Sequence, residues 1–311
     1  MNKLTDKLRG SFFIWYFVTV TTNTKSSGQS TRSLSRRIVN LLRGCRNLAY
    51  LSLGPFDYAS RLVNGKTDFP PLHLRRYVGP LRTFEASGSE FLAYLKLLVE
   101  MQPGDRILDI GCGCGLMALY LKDYLDGSGS YAGVDLHSPS IRWCNDHIRA
   151  THPNFVFEHT DIKSLAYNPQ GAHSADVFQF PFESNSFDVI LLKSVFTHMR
   201  PAEIKNYLRE VARMLKDNGR CLATFFLLNE SQRLLATEDR NTLKFNFGDD
   251  EWRYVYENSP ESASAYDENY ILGALAEQGL KLKKPIIYGH WSGRENGLSF
   301  QDMLVIEKAG S

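Results

Sequence analysis

The chain has 311 residues, 43% of them hydrophobic and 23% charged, a globular composition with room for one large α/β domain and additions, or for two domains. Its five cysteines (Cys45, Cys112, Cys114, Cys144 and Cys221) form no even, spaced set, which excludes a disulfide framework and points to a reducing compartment, in the first place the cytoplasm. Residues 1–50 hold nine Lys or Arg and one acid, Asp6, for a net +8, while the other 261 hold 27 basic and 33 acidic residues, for a net −6; the body is therefore not a nucleic-acid binder.

Residues 1–66 read as a basic N-terminal arm. "SFFIWYFVTV" (11–20) is apolar but only ten residues long, too short for a bilayer-spanning helix. No acid occurs between Asp6 and Asp57. Four readings fit: a secretory signal led by Lys3, Lys7 and Arg9, an organelle transit peptide, a peripheral contact with an anionic membrane or a partner, or an extension without a role.

Regular signals begin near residue 87. "SGSE" (87–90) has capping-box form, and it precedes a helix with Phe91, Leu92, Leu95, Leu98 and Val99 on its apolar side. After the turn "QPGD", "RILDI" (106–110) predicts a buried strand. A glycine-rich turn follows, then a helix over 116–125. "YAGVD" (131–135) predicts the second strand, 138–150 a helix opened by Ser138 and Pro139, and "NFVFEH" (154–159) the third strand. "FDVILL" (187–192) is the fourth strand. A helix over 201–215 carries Ile204, Leu208, Val211 and Leu215 on one stripe and closes at Asn218–Gly219. "RCLATFFLL" (220–228) is the fifth strand. A helix over 267–279 and strands over 284–290 and 300–308 complete the series.

Strands alternating with helices imply parallel pairing and right-handed crossovers. About nine residues separate the last two strands, too few for a crossover helix, so they should pair antiparallel. The expected fold is α/β, a seven-stranded and mostly parallel sheet with one antiparallel strand and helices on both faces. Residues 229–266 interrupt the alternation at the carboxyl end of the fifth strand, where ligands of such sheets bind, and read as a substrate-covering insertion.

"ILDIGCGCG" (107–115) poses the cofactor question. Gly111, Gly113 and Gly115 give G-x-G-x-G. The dinucleotide fingerprint needs its last glycine where Leu116 stands, and no Gly-Lys-Ser/Thr follows for a phosphate loop. Cys112 and Cys114 would need two further ligands for a metal site, and none is near in sequence; no metal is expected. Asp109, Asp135 and Asp161 fall at or after the ends of the first three strands, where carboxylates can meet a ribose or an exocyclic amine.

"RILDIGCGCG", "YAGVDLHSPSIRWCN", "EHTDI", "FPFESNSFDVILLKSVFTHM" and "YLREVARMLKDNGRCLATFFL" together resemble a class I S-adenosylmethionine-dependent methyltransferase, over about residues 85–308. The resemblance implies a Rossmann-like sheet of order 3-2-1-4-5-7-6 with strand seven antiparallel. It implies that Gly111, Gly113 and Gly115 pass under the methionine part of S-adenosylmethionine, with Asp109 oriented toward it. Asp135 would hold the ribose, Leu136 would lie against the adenine, and Asp161 and Ile162 would read it. Lys193 and Ser194 would line the floor. Residues 67–90 resemble the cap such enzymes place over the cofactor, with Arg76 a candidate for a carboxylate there, and the domain would span 67–311.

Methyl transfer from a sulfonium is an in-line displacement that needs alignment and exclusion of water. A hydroxyl acceptor also needs a base. His198 in "SVFTHM" is the first candidate and His290 in "YGHWSGREN" the second, with Trp291 and Arg294 beside it. Asp267, with Tyr266, is a third candidate that is equally suited to cap a helix. The expected acceptor is a small molecule or a glycan, at oxygen; the Asn/Asp-Pro-Pro-aromatic signature of nucleic-acid amino methylation is absent, the strand end reading "LLKSVF". The alternatives are a non-catalytic partner subunit of the same fold and a NAD(P)-dependent oxidoreductase.

Overall fold

The computed structural model describes residues 50–165, 167–238 and 240–310. The readings made for the apolar stretch 11–20 and for Cys45 lie outside the described residues. The chain divides into two compact units, Met1–Ala86 and Ser87–Ser311, so the division falls inside the segment 67–90.

In the first unit, α1 (Gly54–Val63) begins with Pro in its first turn, where the missing N–H costs nothing. α2 (Leu72–Arg75) is a single turn after Pro71. Arg76 is buried, its guanidinium over the rings of Tyr77 and Tyr50 at 4.5 and 5.0 Å. A 3₁₀ turn at Leu81–Thr83 leads into α3 (Phe84–Leu97). The helix therefore starts a turn earlier than "SGSE" suggests: Ser87 lies inside it, because the chain leaves the 3₁₀ turn already helical.

The second unit is built on β1 (Arg106–Ile110), α4 (Leu116–Leu121), β2 (Ser130–Asp135), α5 (Ser138–Cys144, prolonged by a π-helical turn to Arg149) and β3 (Phe155–His159). There follow β4 (Phe187–Leu192), α6 (Pro201–Met214), β5 (Leu215–Phe225), β6 (Leu227–Leu228) and α7 (Glu230–Thr237). The series ends with β7 (Phe247–Gly248), β8 (Trp252–Tyr254), β9 (Ser264–Asp267), α8 (Glu268–Glu277), β10 (Leu280–Leu282) and β11 (Asp302–Lys308).

The main sheet runs β3-β2-β1-β4-β5-β11-β10. β3, β2, β1, β4 and β5 are parallel, and β11 is antiparallel to both of its neighbours. This is the expected seven-stranded α/β sheet. Its parallel strands are apolar along their length because helices cover both faces; Ile107, Leu108, Val189, Ile190, Leu191 and Leu192 are fully buried. α6 presents Ile204, Leu208 and Val211 to this core. The N–H of Arg200 donates to Glu203 at 2.6 Å ahead of Pro201, which sets where α6 begins. Among the described residues no helix is long and apolar enough to cross a membrane.

Three boundaries differ from the sequence reading. α6 does not close at Asn218–Gly219. The chain turns at Leu215 directly into β5, and Lys216–Gly219 bulge where Leu215 pairs with Phe187 and Arg220 with Val189. The outermost strand is Leu280–Leu282, four residues earlier than the predicted 284–290, which keeps only an isolated bridge from Ile287 to Met303. Residues 227–267 build a second sheet of order β6-β9-β8-β7. Strands of two to four residues are too short for alternation to reveal.

Asp302 fastens these parts. Fully buried, its carboxylate accepts the N–H of Leu227 at 2.7 Å, the N–H of Gly289 at 2.7 Å and the indole N–H of Trp291 at 2.9 Å. Burial raises its pKa to about 7 against the pull of these three donors. Asp302→Asn keeps the shape but turns an NH₂ toward one donor, so unfolding in urea should show a loss of about 1–3 kcal/mol; an unchanged midpoint would refute this role for the carboxylate.

Candidate functional site

β1 is flanked by β2 on one side and β4 on the other, the point at which the sheet reverses its winding; in sheets of this kind ligands bind outside the carboxyl ends of the strands at that point. The chain leaves β1 through Gly111, Gly113 and Gly115, all left-handed, at φ +81°, +56° and +78°. Side chains rarely adopt these angles. A Cβ on Gly111 would also stand 2.6 Å from Val195, and one on Gly115 2.8 Å from Ile148 and 3.0 Å from Cys144. The turn is thus wedged between the loop after β4 and α5 with its π-helical extension. The carbonyl of Val134 accepts both the Gly111 and the Cys112 N–H, at 2.8 and 3.1 Å.

Asp135 closes the turn from the other side. One carboxylate oxygen accepts the N–H of Gly113 at 2.8 Å and the other the N–H of His137 at 2.7 Å. Burial raises its pKa and the two backbone donors lower it, with burial the larger effect. Each oxygen retains a further lone pair, as a ligand hydroxyl pair would require. Leu136, next to it, is half-buried, and its carbonyl faces the ring of His159 at 3.1 Å. In the register of β2 and β3, Asp135 lies opposite His159, which sets Asp161 and Ile162 on the neighbouring strand end. Ile162 is buried. Asp161 is exposed and takes the Asn168 amide at 3.0 Å, which lowers its pKa.

Asp109 is buried within β1 and accepts the Tyr131 hydroxyl at 2.7 Å. Burial raises its pKa to about 7, opposed by that hydrogen bond and by the positive charge of Lys193. Burial in turn lowers the pKa of Lys193, whose ammonium lies 4.9 Å from the ring centre of Phe91. Ser194 has φ +57°. Its N–H donates to Thr224 at 2.8 Å and its hydroxyl to Gln301 at 2.9 Å, so backbone and side chain together tie the loop after β4 to β5 and to the residue before β11.

His198 sits in a 3₁₀ turn, Phe196–His198, half-buried. Its Nδ1 lies 2.9 Å from the Glu261 carbonyl; a carbonyl can only accept, so Nδ1 carries the proton and Nε2 the lone pair. Burial lowers the pKa below the ordinary histidine value, with the Glu261 and Ser262 hydrogen bonds acting the other way. His198 is therefore neutral at pH 7.

His290 is exposed, its ring edge-on to Phe300 at 5.5 Å. Trp291, beside His290 in sequence, is a core residue donating to Asp302. Arg294 lies over Tyr288 at 4.5 Å. Asp267 caps α8, accepting the N–H groups of Asn269 and Tyr270 at 3.0 and 3.3 Å. Tyr266 is buried and donates its hydroxyl to the carbonyls of Phe196 and Met199. The Cys112 thiol is buried, and burial raises its pKa; among the described residues no group of three or more His, Cys, Asp or Glu is clustered to hold a metal.

Glu261 is the residue sequence reasoning missed. Its backbone holds His198, its carboxylate accepts the N–H of Leu165 at 3.2 Å, and Arg200 pairs with it at 3.4 Å. It joins the insertion to the loops after β3 and β4. Nothing in "NSPES" marks it, because its partners lie up to 96 residues away. The insertion also forms a cavity of about 560 Å³ lined by Leu228, Arg233, Lys244, Phe245 and Arg253 among others, which includes none of the residues picked from sequence.

Residues 108–223 match the family model described as a methyltransferase domain. The chain is 27% identical over 119 residues to 2-phytyl-1,4-naphtoquinone methyltransferase of Trichormus variabilis, covering 38% of this chain and 45% of that protein. It is 26% identical over 161 residues to 27-O-demethylrifamycin SV methyltransferase of Amycolatopsis mediterranei, covering 51% and 52%. The chain thus spans about half the length of the curated relatives it matches. Among solved structures it is similar to the PH0226 protein from Pyrococcus horikoshii OT3, at 16% identity and a TM-score of 0.49, covering 72% of this chain and 90% of that one.

Glu261→Ala should free the loops after β3 and β4, lowering stability by about 1–2 kcal/mol and speeding protease cleavage within 161–174; cleavage at the wild-type rate would show that another contact holds them.

Proposed function

We propose that the chain, whose residues 108–223 match a methyltransferase domain, is a class I S-adenosylmethionine-dependent methyltransferase that transfers a methyl group to the oxygen of a small-molecule or glycan acceptor, with His198 as the base. The observation that carries this reading is the tautomer of His198: its Nδ1 proton is committed to the Glu261 carbonyl, leaving Nε2 free to take a proton at neutral pH. His198 closes the loop that begins at Lys193, and Val195 of that loop packs on Gly111, so base and glycine turn belong to one end of the sheet. The relatives' names support a small acceptor, one a naphtoquinone and the other an oxygen of rifamycin.

The residues present fit the cofactor. The left-handed glycine turn offers close backbone approach. Asp135 has lone pairs for a ribose, Asp161 stands on the neighbouring strand end beside Ile162, and Asp109 is a buried carboxylate that would oppose a cation. S-adenosylmethionine, when bound, supplies an already activated methyl group. The chain's work is to hold it, align the acceptor oxygen in line and keep water out. Asp135 and the turn orient; Asp109 meets positive charge in its ionised form; Nε2 of His198 receives the acceptor's proton as the oxygen–carbon bond forms. The net negative charge of residues 51–311 speaks against a nucleic-acid acceptor. His290 is exposed, with no carbonyl fixing its tautomer among the described contacts, which makes it the weaker base.

Calorimetry on the full chain should show micromolar S-adenosylmethionine binding, about −8 kcal/mol, no binding of NAD, and loss in Asp135→Ala. Because the Asp109 carboxyl holds its proton up to about pH 7, and a cationic ligand needs it ionised, affinity should rise as pH passes upward through 7. Asp109→Asn should flatten that rise. No binding to wild type would overturn the cofactor assignment.

With a hydroxylated naphthoquinone as acceptor and S-adenosylhomocysteine release as readout, His198→Ala should lower turnover about 10²–10⁴-fold with cofactor binding intact. The acidic limb of the wild-type rate profile should lie below the ordinary histidine range. Equal turnover in the variant would remove His198 from the chemistry and leave the methyltransferase reading standing.

A further inference from the structure

α1 is seated the reverse of an ordinary surface helix, whose apolar stripe faces protein and whose polar side faces water. Here the polar side is turned inward. Asp57 accepts the N–H of Leu72 at 3.2 Å and Nε of Arg61 at 3.0 Å, and pairs with the guanidinium of Arg75. Arg61 reaches on to the carbonyl of Phe69 at 2.5 Å. The apolar side is turned outward: Phe56 is 76% exposed, Leu62 58% and Val63 86%, and none of the ten residues is buried. Leu51 and Leu53, just before the helix, are exposed as well. Phe56, Ala59 and Val63 recur at i, i+3 and i+7, so the outward residues form one stripe. A set of large exposed apolar side chains on one face marks a surface that meets something other than water.

The charge of the adjoining sequence says what. Residues 1–50 carry a net +8, and no acid interrupts the chain from Lys7 to Phe56. A protein partner would have to be matched to both features at once. An anionic lipid surface supplies both, head groups for the cations and acyl chains for Phe56, Leu62 and Val63. We propose that the outward face of α1 docks on an anionic lipid bilayer, with the basic sequence before it providing the attraction and the Asp57–Arg61–Arg75 network holding the helix in its inverted seat. The two signals act together, as lasting peripheral attachment needs. This inference is independent of the reaction and of His198.

The full-length chain should be sedimented with vesicles of phosphatidylcholine alone and with vesicles in which phosphatidylserine replaces part of it. Binding is expected only with phosphatidylserine present, weakening as salt rises. The triple variant Phe56→Asp, Leu62→Asp, Val63→Asp should lose at least about tenfold in partitioning, while keeping its circular dichroism and its S-adenosylmethionine binding. The milder pair Phe56→Ser, Val63→Ser tests the same face should the triple variant fold poorly, and should lose several-fold. Three results would each overturn the proposal: no phosphatidylserine-dependent binding by wild type, equal binding by the folded variants, or light scattering in which the variants turn a dimer into a monomer. The last would assign the face to a second copy of this chain.

Discussion

The hydrogen bond from the Gly113 N–H to the Asp135 carboxylate ties the end of β1 to the end of β2, and the geometry of the crevice hangs on it. The register Ile110 to Val134 brings the two strand ends level. The Val134 carbonyl then takes the first two N–H groups of the turn, and Asp135 takes a later one. Three left-handed glycines within five residues are tolerable only where the backbone is pinned this closely. α4 starts at Gly115 without a side-chain cap, so the turn itself decides where that helix points. The loop after β4 then rests on the turn through Val195, and the insertion rests on that loop through Glu261 and Tyr266.

Two carboxylates of this unit are raised to about 7 by burial, and their company separates their roles. Asp302 is enclosed by three N–H donors, one from β6 and two from the loop before β11, and it joins them. Asp109 has one hydroxyl donor and the field of a lysine, at the mouth of the glycine turn. A displaced pKa alone would rank them equally. Asp302 is absorbed by packing, whereas Asp109 retains capacity for a ligand.

The parallel half of the sheet was legible because each strand is a short apolar run closed by a turn, and the glycine turn and Asp135 announce themselves by position. The antiparallel edge was misplaced for a physical reason. "KPIIYGH" has the β-branched and aromatic residues of a strand, yet only Ile287 bridges to Met303, while the plainer "LKL" pairs with β11. At an edge, pairing is set by where the previous helix releases the chain, and α8 ends at Glu277. The roles of Glu261, Tyr266 and Asp302 were invisible for another reason: each is fixed by partners tens of residues away, such as Phe196 for Tyr266. Tyr266, named with Asp267 as a candidate base, and Trp291, named beside His290, turn out to be buried.

β11 is late in sequence but interior in space: it lies between β5 and β10 and is antiparallel to both. Until residues 302–308 have emerged during synthesis, β5 is an open edge of an almost finished parallel sheet and β10 has no neighbour to pair with. Asp302 also brings the donors of Leu227, Gly289 and Trp291 to order only then. The assembly step that completes the sheet is a long-range closure, slow compared with formation of the β1–β4 region. The nascent chain therefore passes through a stage in which a buried apolar strand is exposed, and it is at this stage, rather than in the finished fold, that the protein is most open to wrong pairing and to chaperones.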